Sequence, residues 1–485
     1  MVTSKFKVLA LNPPFHPRYS RSQRSPGVIK SGVLYYPLWL AYATGVLEQD
    51  GFQVRLVDAP AAGFDLAAVI ELLGEFQPQL VLMETSTPSI LNDLEVAKAV
   101  KARFPGMFVL LVGPHVTALP GETLSQNSAV DAVARGEYEY TVRDLARALA
   151  GGGELSAVEG LSFTDRGGEI IHNPERDLIQ DLDSLPFASE VYKRHLRIED
   201  YFYSIALYPQ VTLVTGRGCP YKCTFCLWPQ TITGSRYRLR SISNVLEEFA
   251  FIAEELPQVR DIFIEDDTFT ADQERCVDLA KGLLDHGKRQ TFTANSRANV
   301  AYETLTWLRK AGLRLLCVGF ESGDQQVLNA MRKGIRVEQF YQFRQDARRA
   351  GVLIHGCFMA GNPGETRESL AKTLQLAKQL EPDTAQFYPL MVYPGTAAFE
   401  IARENGSLTT DDFQEWLTPE GLHKSVISQP GLDADDLLAW CDHARRSFYL
   451  RPNYVLSKAW QIFAQPREAG RIIRSARTFS RHLIT

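Results

Sequence analysis

Short apolar runs alternate with stretches of 3.6-residue periodicity from the N-terminus onward. Runs at 6–11, 54–57, 80–84, 108–112 and 129–134 predict strands, and 37–49, 66–76, 94–104 and 140–150 predict helices between them. The strand runs are apolar throughout, which fits a parallel sheet covered on both faces. The expected first unit, 1–155, is therefore doubly wound and Rossmann-like, with its polar loops gathered beyond the carboxyl ends of the strands. A Gly151-Gly152-Gly153 run marks its end, and 156–205 reads as a linker region with short strands at 160–164 and 169–172 and a surface crossing at 192–200. A second βα series follows in 206–400, with strands at 211–215, 261–265, 291–294, 315–320, 352–359 and 385–390. Helices are expected at 245–255, 275–286, 303–311, 337–350 and 369–380. Six βα units predict a partial parallel (β/α)6 barrel. The remainder, 401–485, turns helical and irregular.

Composition changes this picture in two places. The 485 residues carry a net charge of −5, too small to draw the whole molecule to nucleic acid, yet 443–485 holds nine Lys/Arg against the single acid Glu468. Trp460, Ile462, Phe463, Ile472 and Phe479 are interleaved with those cations. The tail is thus either a capping helix with a solvated basic face or a segment for an anionic membrane surface. No apolar stretch reaches the ~20 residues of a spanning helix, and the N-terminus lacks a secretory pattern. The expected location is cytoplasmic, with contact to the inner face of the membrane through the tail.

The second place is the cysteines. Seven in so long a chain do not form a disulfide framework, but Cys219, Cys223 and Cys226 fall within eight residues, in a loop after the first barrel strand. Structural zinc would need a fourth ligand, and none follows nearby. Three thiolates can hold three irons of a cubane cluster and leave the fourth open. Cys317 and Cys357, inside apolar strands, read as core thiols.

The Cys-x3-Cys-x2-Cys spacing on a partial barrel resembles the radical S-adenosylmethionine (SAM) superfamily. That resemblance implies a 4Fe-4S cluster, SAM bound to its open iron, an external one-electron reductant and a 5'-deoxyadenosyl radical that abstracts hydrogen from an unactivated carbon. It also implies SAM contacts. Phe225 lies in the cluster loop. Glu265, Asp266 and Asp267 end the second strand, near the methionyl amino group, or cap the next helix. Ser296 and Arg297 end the third, near the carboxylate. Glu321 ends the fourth, for the ribose hydroxyls. Gly361 follows the fifth, for adenine or as a plain turn.

A doubly wound domain ahead of such a barrel resembles the cobalamin-dependent subclass. The matching positions are Asn12, Pro13, Ser86, Thr87, Pro114, His115 and Glu137. The Asp-x-His-x-x-Gly signature is missing, so cobalamin is expected without a protein histidine ligand; His115 either lines the pocket or is structural. Segments around 226–230, 237–241, 190–194 and 355–356 are similar to radical SAM proteins of hopanoid biosynthesis, in the branch leading to cyclitol ether head groups. This resemblance implies a lipid or small-molecule substrate, with ring contraction of a sugar-like head group as the first expectation. C-methylation is the enzymatic alternative and a cobalamin or redox sensor the non-catalytic one. Trp228 and Arg240 either line the substrate cavity or buttress the cluster loop, and Tyr393 belongs to a site-closing loop. No nucleic-acid partner is expected.

Overall fold

The computed structural model describes residues 5–287, 290–464, 468–470 and 472–473. The first sheet has seven strands: β1 (Lys7–Asn12), β2 (Gln53–Asp58), β3 (Leu80–Glu84), β4 (Phe108–Val112), β5 (Ala132–Ala134), β6 (Leu161–Thr164) and β7 (Ile170–His172), in the order β2-β1-β3-β4-β5-β6-β7. β1 to β5 pair in parallel, and β3 is buried at every residue, as its unbroken apolar run requires.

The barrel follows with β8 (Gln210–Leu213), a two-stranded antiparallel ribbon of β9 (Gly216–Arg217) and β10 (Arg238–Leu239), then β11 (Asp261–Ile264), β12 (Phe292–Ser296), β13 (Leu313–Glu321), β14 (Leu353–Ala360) and β15 (Thr384–Pro389). Its six parallel strands run β15-β14-β13-β12-β11-β8. Alternate side chains divide cleanly. Phe320 and Phe358 face outward, where Phe320 meets Phe340 and Phe343 of the helix Val337–Ala350, while Phe263, Leu315 and Cys317 share the interior with Tyr203.

Two expectations about 156–205 are corrected. Its strands are not part of a linker: β6 and β7 extend the first sheet antiparallel from β5. Nor is the next segment a surface crossing, because Ala188–His195 is a helix whose Tyr192 is buried and stacked on Tyr36 at 4.2 Å. The two sheets share one apolar core, in which Trp39 of the first unit meets Trp228 of the barrel edge-on at 5.1 Å. The C-terminal region packs its helix Ala434–Tyr449 on β15, with Phe387 against Trp440 and Phe448. Among the described residues no helix is long and apolar enough to cross a membrane. Much of the basic tail, including Arg467, Arg471, Arg474, Arg477, Phe479 and Arg481, lies outside the described residues.

Candidate active site

The cysteine loop is shaped by one backbone requirement. Gly218 has φ +89°, and a Cβ there would lie 2.2 Å from the Arg236 carbonyl. Only glycine lets the chain turn between β9 and Cys219. Beyond the turn, the Gln230 amide donates to the carbonyls of Thr224 (3.1 Å) and Cys226 (2.7 Å), closing the loop on the helix Leu227–Thr231. Cys219 Sγ is 3.5 Å from Thr268 Oγ1, and Arg297 Nη1 is 3.7 Å from Cys223 Sγ. A hydrogen bond from Cys226, with the Lys333 and Arg297 cations nearby, draws the Cys223 thiol below its ordinary range. Three adjoining sulfurs, two cations and no fourth cysteine fit a cluster with one open iron.

Around this loop the carboxyl ends of the strands present acids and cations. Glu265 is buried; it pairs through Oε1 with Arg24 and accepts from Asn295 (3.3 Å), while its Oε2 is buried without a partner. Asp267 accepts from Thr233 (2.8 Å) and is 3.6 Å from Arg24. Arg297 stacks on Tyr221 at 3.8 Å, donates to the Lys333 carbonyl, and keeps a buried Nε without an acceptor. Ser296 bonds Thr270 at 2.8 Å. Glu321, at φ +65°, is held between Lys333 Nζ (2.9 Å) and the Tyr388 hydroxyl (3.1 Å), with Phe225 beside Lys333. Orphaned atoms on Glu265 and Arg297 leave acceptor and donor capacity for an amino acid's two charged groups, so the residues fit SAM.

Several sequence-based assignments need correction. Asp266 is saturated by the Thr215 amide (2.6 Å), the Thr215 hydroxyl (2.7 Å) and Tyr237 (2.7 Å), so it ties strands together instead of facing a ligand. The N–H of Gly361 donates to Glu365 (2.6 Å) and its carbonyl accepts from Gln429 (2.8 Å), the bonding of the plain-turn alternative. Arg240 is buried against Glu248 (2.5 Å) and the carbonyl of Val214 (2.8 Å), just ahead of the ribbon, which fits the buttressing alternative. Glu137 is taken up by Arg217, Arg238 and the Ile179 amide, an interdomain contact. Trp228 is buried under the Arg24 guanidinium (4.4 Å), and Tyr393 is buried with its hydroxyl 3.0 Å from Ser25.

Arg24 and Ser25 belong to residues 13–36, an irregular excursion of the first unit that the hydrophobic pattern does not reveal. It also lies over the carboxyl ends of β1 and β3. Arg21 donates to Asn12 (2.7 Å) and the Pro13 carbonyl (2.8 Å) and pairs with Asp93 at 2.5 Å. Tyr19 bonds Ser86 (2.8 Å), and Ser22 donates to Glu84 (2.5 Å). Pro114 opens a short helix, and His115 bonds Thr87 at 3.1 Å, with burial pushing its imidazole down to about 3. It also meets Phe413 edge-on, so this histidine is a neutral packed side chain. Glu84 Oε2 at the end of β3 and the Tyr138 hydroxyl, a few residues past β5, are buried without partners, which fits a large polar cofactor edge.

A doubly wound domain and a partial barrel thus meet at a three-thiol loop. Residues 213–377 match the radical SAM superfamily, and residues 24–146 match the B12-binding domain. An uncharacterized methyltransferase of Pyrococcus horikoshii is 30% identical over 426 residues, 88% of this chain and 90% of that protein. The chain belongs to the cobalamin-dependent radical SAM family, whose cofactors are a 4Fe-4S cluster, SAM and cobalamin. The hopanoid C-3 methylase of Methylococcus capsulatus is 25% identical over 394 residues, covering 78% of this chain and 70% of that one. The methyltransferase TsrM of Kitasatospora setae, solved with cobalamin and a 4Fe-4S cluster, shares the fold with TM-score 0.70 at 18% identity, over 92% of this chain and 89% of that one.

Proposed function

We propose that the protein is a cobalamin-dependent radical SAM C-methyltransferase whose substrate is a small molecule or lipid of the hopanoid class. The observation that carries this reading is the joint presence of both matched domains with a 30%-identical methyltransferase relative spanning nine-tenths of its own length. The hopanoid C-3 methylase supports the lipid class. When bound, the cluster and SAM supply a 5'-deoxyadenosyl radical and cobalamin supplies a methyl group. The chain's own groups divide the remaining work. Cys219, Cys223 and Cys226 ligate iron, Asp267 and Glu265 accept from the SAM ammonium, Arg297 pairs with its carboxylate, and Glu321 accepts from the ribose hydroxyls. Lys333 and Tyr388 hold Glu321 in place, while Trp228 and Trp39 keep water from the junction. The exposed Leu456 and Trp460 of the helix Pro452–Ala464 support peripheral membrane contact, which suits a lipid substrate.

Ring contraction of a hopanoid head group rests on the sequence segments alone, and the methyltransferase relatives weigh against it. The two readings differ in what becomes of SAM. Reduced, cluster-loaded enzyme with cobalamin and a hopanoid substrate is expected to release S-adenosylhomocysteine together with 5'-deoxyadenosine. Deoxyadenosine without S-adenosylhomocysteine would overturn methylation in favour of rearrangement.

A further inference from the structure

Cys317, His355 and Cys357 form a second thiol cluster, apart from the three cysteines of the loop. Their sulfur and ring-nitrogen atoms all lie within 4.8 Å of one another. Cys317 is on β13, and His355 and Cys357 are on β14, all three on the alternation that faces the barrel interior. Both cysteines are partly exposed, and Cys317 packs against the interior apolar cluster. Gln386 of β15, in register with Cys357, is exposed, so the space beside the cluster is open.

Three relationships indicate what the cluster can do. The two sulfurs are 3.7 Å apart. Two thiolates on one tetrahedral metal, each at about 2.3 Å, are separated by about 3.8 Å. A disulfide suits the strands poorly. Cys317 pairs in register with His355, and Gly319 with Cys357, so the cysteines lie on a diagonal. Diagonal positions on neighbouring strands are about 7–8 Å apart, beyond the ~7 Å span a disulfide bridges without backbone movement. The histidine is also held: His355 Nδ1 meets Thr384 Oγ1 at 2.8 Å, the kind of outer hydrogen bond that orients metal-binding histidines.

We propose that Cys317, Cys357 and His355 bind one divalent thiophilic metal of the zinc class, with a fourth position open to the barrel interior for an oxygen or thiolate of the substrate. Two thiolates and one imidazole with a vacant position is a ligand set zinc uses when it must also bind a reactant. Binding releases the two thiol protons to solvent. Without metal, the bond to Cys317 and then burial hold the Cys357 thiol well above its ordinary range.

The test uses the full-length, iron-loaded protein incubated with one equivalent of Zn²⁺ and desalted. About one zinc per chain beyond the cluster iron is expected, with X-ray absorption showing two sulfurs at about 2.3 Å and one nitrogen at about 2.0 Å. In the Cys317→Ser/Cys357→Ser variant, zinc is expected to fall at least tenfold while iron and cobalamin content stay unchanged. Failure of the wild-type protein to retain zinc, zinc unaffected by the double substitution, or a three-sulfur environment marking displacement into the Cys219 loop would each overturn the proposal. The wild-type absorption spectrum decides the matter even if the variant does not fold.

Discussion

Glu84 shows how one carboxylate at a ligand site bears on stability. It ends β3 with one oxygen bonded to Ser22 and the other buried without a partner, and burial pushes its pKa from 4.5 up to about 7. Between those values the folded chain holds a proton that the unfolded chain has lost. The fold is therefore most favoured below the window and loses stability as pH rises through it. At about 1.4 kcal/mol per unit the loss is about 3 kcal/mol. Glu84→Gln is expected to remove this dependence and to raise stability at pH 8 by up to ~3 kcal/mol, with little change at pH 4. Urea midpoints at the two pH values check it; parallel shifts of both would count against the assignment. Residues of this kind were only partly legible in the sequence. The three cysteines declare themselves by spacing, and Arg297 and Glu321 by their place at strand ends. Asp266 and Glu137 misled because sequence does not show whether a polar group is already engaged by the protein. Arg24, Lys333 and Tyr388 were missed because each reaches its partner from another segment of the chain, Arg24 from 241 residues away from Glu265.

At the level of elements, the cluster loop depends on the turn at Gly218. Its positive φ and the 2.2 Å approach to the Arg236 carbonyl together mean that Gly218→Ala must displace the β9–β10 ribbon, not merely strain a torsion. Iron per chain after anaerobic reconstitution is expected to fall at least about twofold, because Cys219 is the next residue. Gly364→Ala is the control: φ there is +76°, but a Cβ meets nothing within 4 Å, so iron should be retained. Equal iron in all three proteins would sink the argument. The parallel strands themselves were readable to within a few residues, since buried parallel strands must be continuously apolar and their helices must be periodic. What escaped was structure without either signal. β6 and β7 are too short to identify their partner sheet, β9 and β10 have two residues each, and the excursion at 13–36 is held by side-chain bonds such as Arg21 to Asp93.

Across the whole molecule, the two sheets are joined by a buried charge cluster as well as by the shared core. Glu137 and Glu139 of the first unit meet Arg217 and Arg238 of the ribbon that carries the cysteine loop. Glu137 accepts from Arg238 through both oxygens at 2.8 Å, and Glu139 accepts from Arg217 at 2.7 Å. Arg217 also stacks over Trp39 and Tyr42, and all four charged side chains are at most 4% exposed. Taking ions from water is expensive, so such a cluster contributes little net stability against an apolar equivalent, yet removing one member strands its partners. Glu137→Ala is accordingly expected to cost ~3–5 kcal/mol, read from urea unfolding of the full chain by tryptophan fluorescence. Because Arg217 directly precedes Gly218 and Cys219, the same variant should also take up less iron. The combined replacement Glu137→Leu/Arg217→Met/Arg238→Met should recover most of the lost stability, since it leaves no buried charge of that trio unpaired, with Glu139→Gln added to neutralise the last acid. If the combined variant proved as unstable as Glu137→Ala, the ion pairs would be a net source of stability, and the link between cofactor domains would be electrostatic in energy as well as in geometry.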